Sequence, residues 1–102
     1  KTPVLVVEGV VESFTKAIQE AQNNGKTVGI MAQNAIVDAV ESRVKGIYKM
    51  GTSVDDMNRS LFDALRTLDH LELDIILAQG APEEGVGIAY MNRLKKAAST
   101  VL

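Results

Sequence analysis

The sequence predicts an α/β fold: an open three-layer sandwich around a mostly parallel sheet of about four to five strands. Three observations carry this expectation. Short apolar runs alternate four times with longer amphipathic stretches. Each connection between the runs is long enough to supply the crossover that parallel neighbours require. A chain of 102 residues makes one unit of about 13 Å radius, enough for one core and too little for a second domain. Right-handed crossovers follow as the default.

The first strand is Val4 to Val7, four aliphatic residues after Pro3 that suit burial on both faces of a sheet. Gly9 punctuates its end. Val10, Phe14, Ala17, Ile18 and Ala21 then fall on one helical stripe, with Glu12, Lys16, Gln19 and Glu20 between them. Asn23, Asn24 and Gly25 close that helix, because asparagine and glycine tolerate the left-handed backbone of a helix end. Thr27 to Met31 reads as the second strand and Ala32 to Arg43 as a short helix built on Ile36, Val37 and Val40. Val44 to Met50 is the third strand, weakened by Gly46 and ended by Gly51.

Ser53 followed by Asp56 three residues later forms a capping-box pattern. The helix it opens carries Met57, Leu61, Leu65, Leu68 and Leu71 inward. Asp74 to Ala78 follows as the fourth strand, Gly80 and Pro82 form a turn, and Gly87 to Ala98 is the last helix, with Ile88, Met91, Leu94 and Ala98 inward. In such a sheet, ligands bind beyond the carboxyl ends of the strands, in the loops after Val7, Met31, Met50 and Ala78.

Composition excludes several functions. There is no cysteine and a single histidine, so there is no disulfide framework, thiol nucleophile or histidine-rich metal cluster. Eleven basic against 13 acidic side chains give a net charge of −2, too balanced for bulk attraction to nucleic acid or anionic membranes. No apolar run exceeds four residues, which leaves no span or signal segment; a soluble, cytoplasmic domain with no membrane contact is expected. The chain starts at Lys1 and stops at Val101 and Leu102 within an apolar stretch, so both ends look cut.

The richest loop is the one after the fourth strand, Gln79 to Tyr90. Strand, glycines and helix start are where backbone amides and the helix dipole can receive an anion. Tyr90 stands where a dinucleotide fingerprint would need a third glycine, and Glu83 and Glu84 would repel an anion. A glycine turn whose acids complement the helix start is the simpler account. Arg93, Lys95 and Lys96 near the end of that helix complement its dipole in the same way. Asp55 and Asp56 sit in a first helical turn, which explains them without a metal. Residues 55–84 hold eight acids against Arg59 and Arg66. Such asymmetry suits either a partner or a solvated surface. His70 has no companion at ligand spacing, and no serine lies in a nucleophile elbow. The residues by themselves describe an α/β domain without self-contained catalytic machinery.

Several segments carry a family likeness. Leu61 to Asp69, Asp74 to Ala78, and the run Gly85, Val86, Gly87, Ile88, Ala89, Tyr90, Met91, Asn92, Arg93, Leu94, Lys95, Lys96, Ala97, Ala98 resemble the C-terminal accessory domain of the two-domain threonylcarbamoyl-AMP synthases. Lys1 to Val7 resembles the stretch just after that family's interdomain linker. The likeness runs end to end, strongest from Ser60 onward and weakest between Ala32 and Arg43. It implies a Rossmann-like fold and a role beside an enzyme that makes threonylcarbamoyl-adenylate from threonine, bicarbonate and ATP, for modification of adenosine 37 in transfer RNA. ATP and magnesium then belong to the N-terminal, YrdC-type catalytic domain, which this chain does not contain. No cofactor is implied here, and no catalytic residue carries over. The implied partners are that catalytic domain and the linker, with transfer RNA contacted only indirectly or weakly. Glu84, Gly85, Gly87, Asn92 and Arg93 are the residues expected to contact the linker or catalytic domain, or to bind an anion. The alternatives are a stand-alone domain binding a small ligand or nucleotide, and a structural dimerisation module.

Overall fold

Two apolar runs are continuous because two strands are covered on both faces. A computed structural model of the chain describes residues 2–98 and 100–101. The expectations for Lys1 as a linker handover and Leu102 as a cut end, and the serine at position 99, lie outside the described residues. The elements are β1 (Val4–Val7), α1 (Val11–Asn23), β2 (Val28–Ala32), α2 (Asn34–Val40) with a 3-10 turn at Glu41–Arg43, β3 (Gly46–Lys49), α3 (Val54–Asp69), β4 (Ile75–Gln79), α4 (Val86–Ala97) and β5 (Thr100–Val101). The sheet order is β3-β2-β4-β1-β5, and every recorded pairing is parallel. Every residue of β2 is buried, as are four of the five in β4. Edge strand β3 buries only Gly46.

The chain travels one way across the sheet from β1 through β2 to β3, then back through β4 to β5. With one crossover hand, the first two helices must cover one face and the last two the other. The core divides accordingly. Phe14, Ile18, Val37 and Val40 pack with Val7, Ile30 and Leu77 on one side. Met57, Leu61, Leu68, Tyr90 and Leu94 pack with Val6, Met31 and Ile76 on the other. Each such fully buried large side chain contributes about 1.5–3 kcal/mol. The radius of gyration is 12.1 Å, and no helix of the described residues is long and apolar enough to cross a membrane.

Three side chains depart from the expected stripes. Val10 is the extended residue that precedes α1 and is 44% exposed. Leu71 is exposed because α3 already ends at Asp69, and Glu72, at φ 55°, reverses the chain so that Leu73 enters the core instead. Ile88 is 58% exposed, since the buried stripe of α4 is Gly87, Tyr90, Met91 and Leu94. That stripe follows the i, i+3, i+4, i+7 rule from Gly87 and turns Ile88 about 100° away from it. The cap of α3 forms as expected on one side, the Asp56 amide donating to Ser53 Oγ at 3.1 Å. Its return bond comes from the Thr52 amide, which donates to Asp56 Oδ2 at 2.9 Å. This amide, more than the hydroxyl of Ser53 or the charge of Arg59, holds the Asp56 carboxyl below the usual carboxylate range.

Candidate functional site

β4 lies between β1 and β2, and the helices that follow β1 and β2 cover the face opposite to the helix that follows β4. Loops that leave neighbouring strands in opposite directions part above the sheet and leave a crevice, the place where open α/β sheets bind ligands. A cavity of about 540 Å³ occupies that position, lined by the ends of β1 and β4, by Gln33 after β2 and by Val54 at the start of α3.

Its polar floor is a pair of glutamines. Gln79, the last residue of β4, is 5% exposed and is the single buried polar side chain among the described residues. Its Oε1 accepts from the Gln33 backbone N–H at 2.8 Å, and its Nε2 donates to Gln33 Oε1 at 2.9 Å. Burying this amide is tolerable because both ends are bonded. Gly9 makes room for it, since a Cβ there would lie 2.6 Å from Gln79 Nε2. From the other side the Tyr90 hydroxyl donates to the Gln79 carbonyl at 2.6 Å. Burial pushes the Tyr90 phenol upward, so it remains a donor throughout the ordinary pH range. Glu8 stands at the rim, its Oε1 accepting from Ser13 Oγ at 3.3 Å.

The five expected site residues do not converge. Glu84 and Gly85 are exposed at the carboxyl edge, and Gly85, at φ 55° and ψ −133°, holds a backbone conformation suited to glycine as it opens α4. Gly87 is buried against the loop, where a Cβ would sit 1.9 Å from the Pro82 carbonyl oxygen. The Glu84, Gly87 and Ile88 amides already donate to Pro82, Glu84 and Gly85 carbonyls, so they are not free for an anion. Asn92 lies seven residues beyond Gly85, about 11 Å along the helix. Arg93, next to it, turns toward α3, where its Nη1 donates to Asn58 Oδ1 at 3.2 Å and its guanidinium lies 5.0 Å from the Phe62 ring centre. Lys95 pairs with Glu83, Nζ to Oε1 at 2.5 Å, so the acid before α4 and the base near its end meet directly.

Sequence reasoning placed Gln79 in its richest loop and Gly9 at the end of the first strand without giving either a site role, and it gave Gln33 none. The available signal was a glutamine closing an apolar run just before a glycine. Among the described residues no group of three or more His, Cys, Asp and Glu side chains is arranged to hold a metal ion.

Comparison with known proteins matches residues 1–99 to the family described as the threonylcarbamoyl-AMP synthase C-terminal domain. Threonylcarbamoyl-AMP synthase of Pyrococcus abyssi is 39% identical over 98 residues, covering 92% of this chain and 27% of that protein. The Bacillus subtilis enzyme is 33% identical over 96 residues, covering 94% of this chain and 28% of that protein. The chain thus spans less than a third of these curated relatives. Among solved structures, Pyrococcus abyssi Sua5 in complex with L-threonine superposes with a TM-score of 0.79 at 31% identity, over 98% of this chain and 29% of that one. The separately crystallised C-terminal Sua5 domain of Pyrococcus horikoshii gives 0.74 at 32% identity, over 99% of this chain and 96% of that one. The Rossmann-like fold is confirmed by these structures, and the chain belongs to the family of threonylcarbamoyl-AMP synthase C-terminal domains.

Proposed function

We propose that this domain is the accessory part of a two-domain threonylcarbamoyl-AMP synthase and docks on the linker and catalytic domain of the same polypeptide. The reaction of the whole enzyme joins threonine and bicarbonate to the AMP portion of ATP, releasing pyrophosphate and water. The observation that carries this reading is the family match over residues 1–99, set against relatives more than three times as long. ATP, magnesium and threonine are assigned to the catalytic part. The product serves adenosine 37 of transfer RNA, which this domain does not need to touch.

The carboxyl edge of the sheet is the surface best suited to docking. Val10, Val11, Val86 and Ile88 are each 39–58% exposed, and all four lie at the starts of α1 and α4, beside the crevice loops. Exposed aliphatic residues gathered at one edge mark an interaction surface more than single ones scattered elsewhere. Glu84, Gly85 and Gly87 shape this edge, whereas Asn92 and Arg93 belong to the α3–α4 side and contribute less.

The test is the full-length enzyme carrying Val86→Asp and Ile88→Asp together, with threonine-dependent pyrophosphate release as the readout. A fall of about fivefold or more is expected, equivalent to about 1 kcal/mol of docking, with Asn92→Ala and Arg93→Ala milder. Unchanged release in the double variant would remove the docking surface. Absence of threonine-dependent release from the unmodified enzyme would remove the functional reading itself.

A further inference from the structure

The glutamine pair in the crevice has a polarity that follows from one backbone group. The Gln33 N–H can only donate, so the Gln79 oxygen must face it, at 2.8 Å. Gln79 Nε2 is then the atom that faces the Gln33 side chain, and the Gln33 oxygen accepts from it at 2.9 Å. Gln33 Nε2 is left with two N–H groups that no hydrogen bond of the described residues uses. Gln33 and Glu8 both line the crevice, and Glu8 keeps one carboxylate oxygen beyond its bond to Ser13. No lysine, arginine or histidine lines it. Most of the remaining wall is apolar, including Val6, Val54, Pro82 and Met91.

We infer that this crevice binds a small neutral molecule carrying a primary amide or urea group on an aliphatic body. The ligand carbonyl accepts from Gln33 Nε2, its N–H groups donate to Glu8, and its body lies on the apolar wall. A carboxylate of the same shape finds no cation and meets Glu8 as a like charge. An alkylammonium satisfies Glu8 and leaves the Gln33 donors unpaired, at the cost such groups carry. The volume of about 540 Å³ falls in the range of small-molecule sites, about 300–1,000 Å³. The inference concerns this chain alone and stands apart from the docking proposal.

The experiment is a titration of the 15N-labelled 102-residue chain with pentanamide, n-butylurea and pentanoate, followed by amide NMR. Pentanamide and butylurea are expected to move the Gly9, Gln33, Gln79 and Gly80 signals with Kd of about 1–10 mM, as suits fragments this small. Pentanoate is expected to bind at least about tenfold more weakly for want of a cation. Gln33→Leu and Glu8→Ala should each weaken pentanamide at least about fivefold by removing one partner. Because Gln33→Leu also disturbs the floor, the variant Glu8→Ala, at an exposed position, decides if that protein unfolds. No movement of crevice signals up to about 50 mM, pentanoate binding as tightly as pentanamide, or full affinity in Glu8→Ala would each overturn the inference.

Discussion

The two ends of the sheet handle their polar groups differently. At the amino edge, the acids close on neighbouring segments. Asp74 Oδ2 accepts from the Thr27 amide at 2.8 Å and its hydroxyl at 3.0 Å, tying β4 to β2, and Asp69 Oδ1 accepts from the Thr2 amide at 2.7 Å. At the carboxyl edge, the buried Gln79 is bonded at both its oxygen and its nitrogen, while Gln33 Nε2 bonds to nothing among the described residues and four aliphatic side chains are exposed. Mutual pairing at one end fastens strands together. Unused donors and exposed aliphatics at the other end are what recognition requires.

If the carboxyl edge rests on close backbone approach, filling that space should cause the largest loss of stability. Gly87→Ala places a methyl 1.9 Å from the Pro82 carbonyl oxygen, a backbone atom that moves only with its loop. A loss of about 3 kcal/mol, or a fall in Tm of about 10–20 °C, is expected. Thermal denaturation followed by circular dichroism measures it. A fall under about 3 °C would show that the 80–85 loop yields freely and that this edge is softer than its packing indicates.

A medium effect is expected at the crevice floor. Gln79→Leu removes the acceptor for the Gln33 N–H and the donor for the Gln33 oxygen at a buried position, costing about 2 kcal/mol. Urea denaturation measures it. The neighbouring Tyr90 bond goes to the Gln79 carbonyl of the main chain, so it survives the substitution. A neutral result would mean that solvent serves the freed Gln33 groups as well as Gln79 does, and that the floor is wetter than its burial indicates.

Much of this was legible in the chain and some was not, for physical reasons. The first expected strand coincides with β1 and the other three overlap observed strands with ends differing by one or two residues, because apolar runs and their Gly or Asn stops are local signals. The Ser53 cap is local too. Strand order depends on which runs pair across the sheet, and no residue in β4 announces that it will lie between β1 and β2. The stripes failed at helix ends, at Val10, Leu71 and Ile88, where periodicity continues in the sequence after the helix has stopped or before its phase is set. The Gln33–Gln79 pair spans 46 positions, and glutamine is so ordinary on surfaces that only the fold shows it buried. Arg93 drew notice as a charge, whereas its place against Phe62 required α3 and α4 to be packed together.

The smallest expected effect separates the edges by pH. The Thr27 amide and hydroxyl, with Lys26 and Lys45 nearby, hold the Asp74 carboxyl below the usual range, and the Thr2 amide does the same for Asp69. A carboxyl whose folded pKa is depressed stabilises the fold above its unfolded value, about 3.9, and loses that contribution as pH falls through the folded value. Tm should therefore be level above about pH 5 and decline below about pH 4. Asp56 at the carboxyl edge is depressed as well, so the comparison needs both edges. Asp74→Asn with Asp69→Asn should flatten more of the acid decline than Asp56→Asn, because the amino edge uses its carboxylates to tie segments that are 47 and 67 positions apart. Calorimetry from pH 2 to 6 reads this directly. If Asp56→Asn flattens the decline most, the carboxyl edge carries the acid sensitivity and the fastening role assigned to the amino edge is lost.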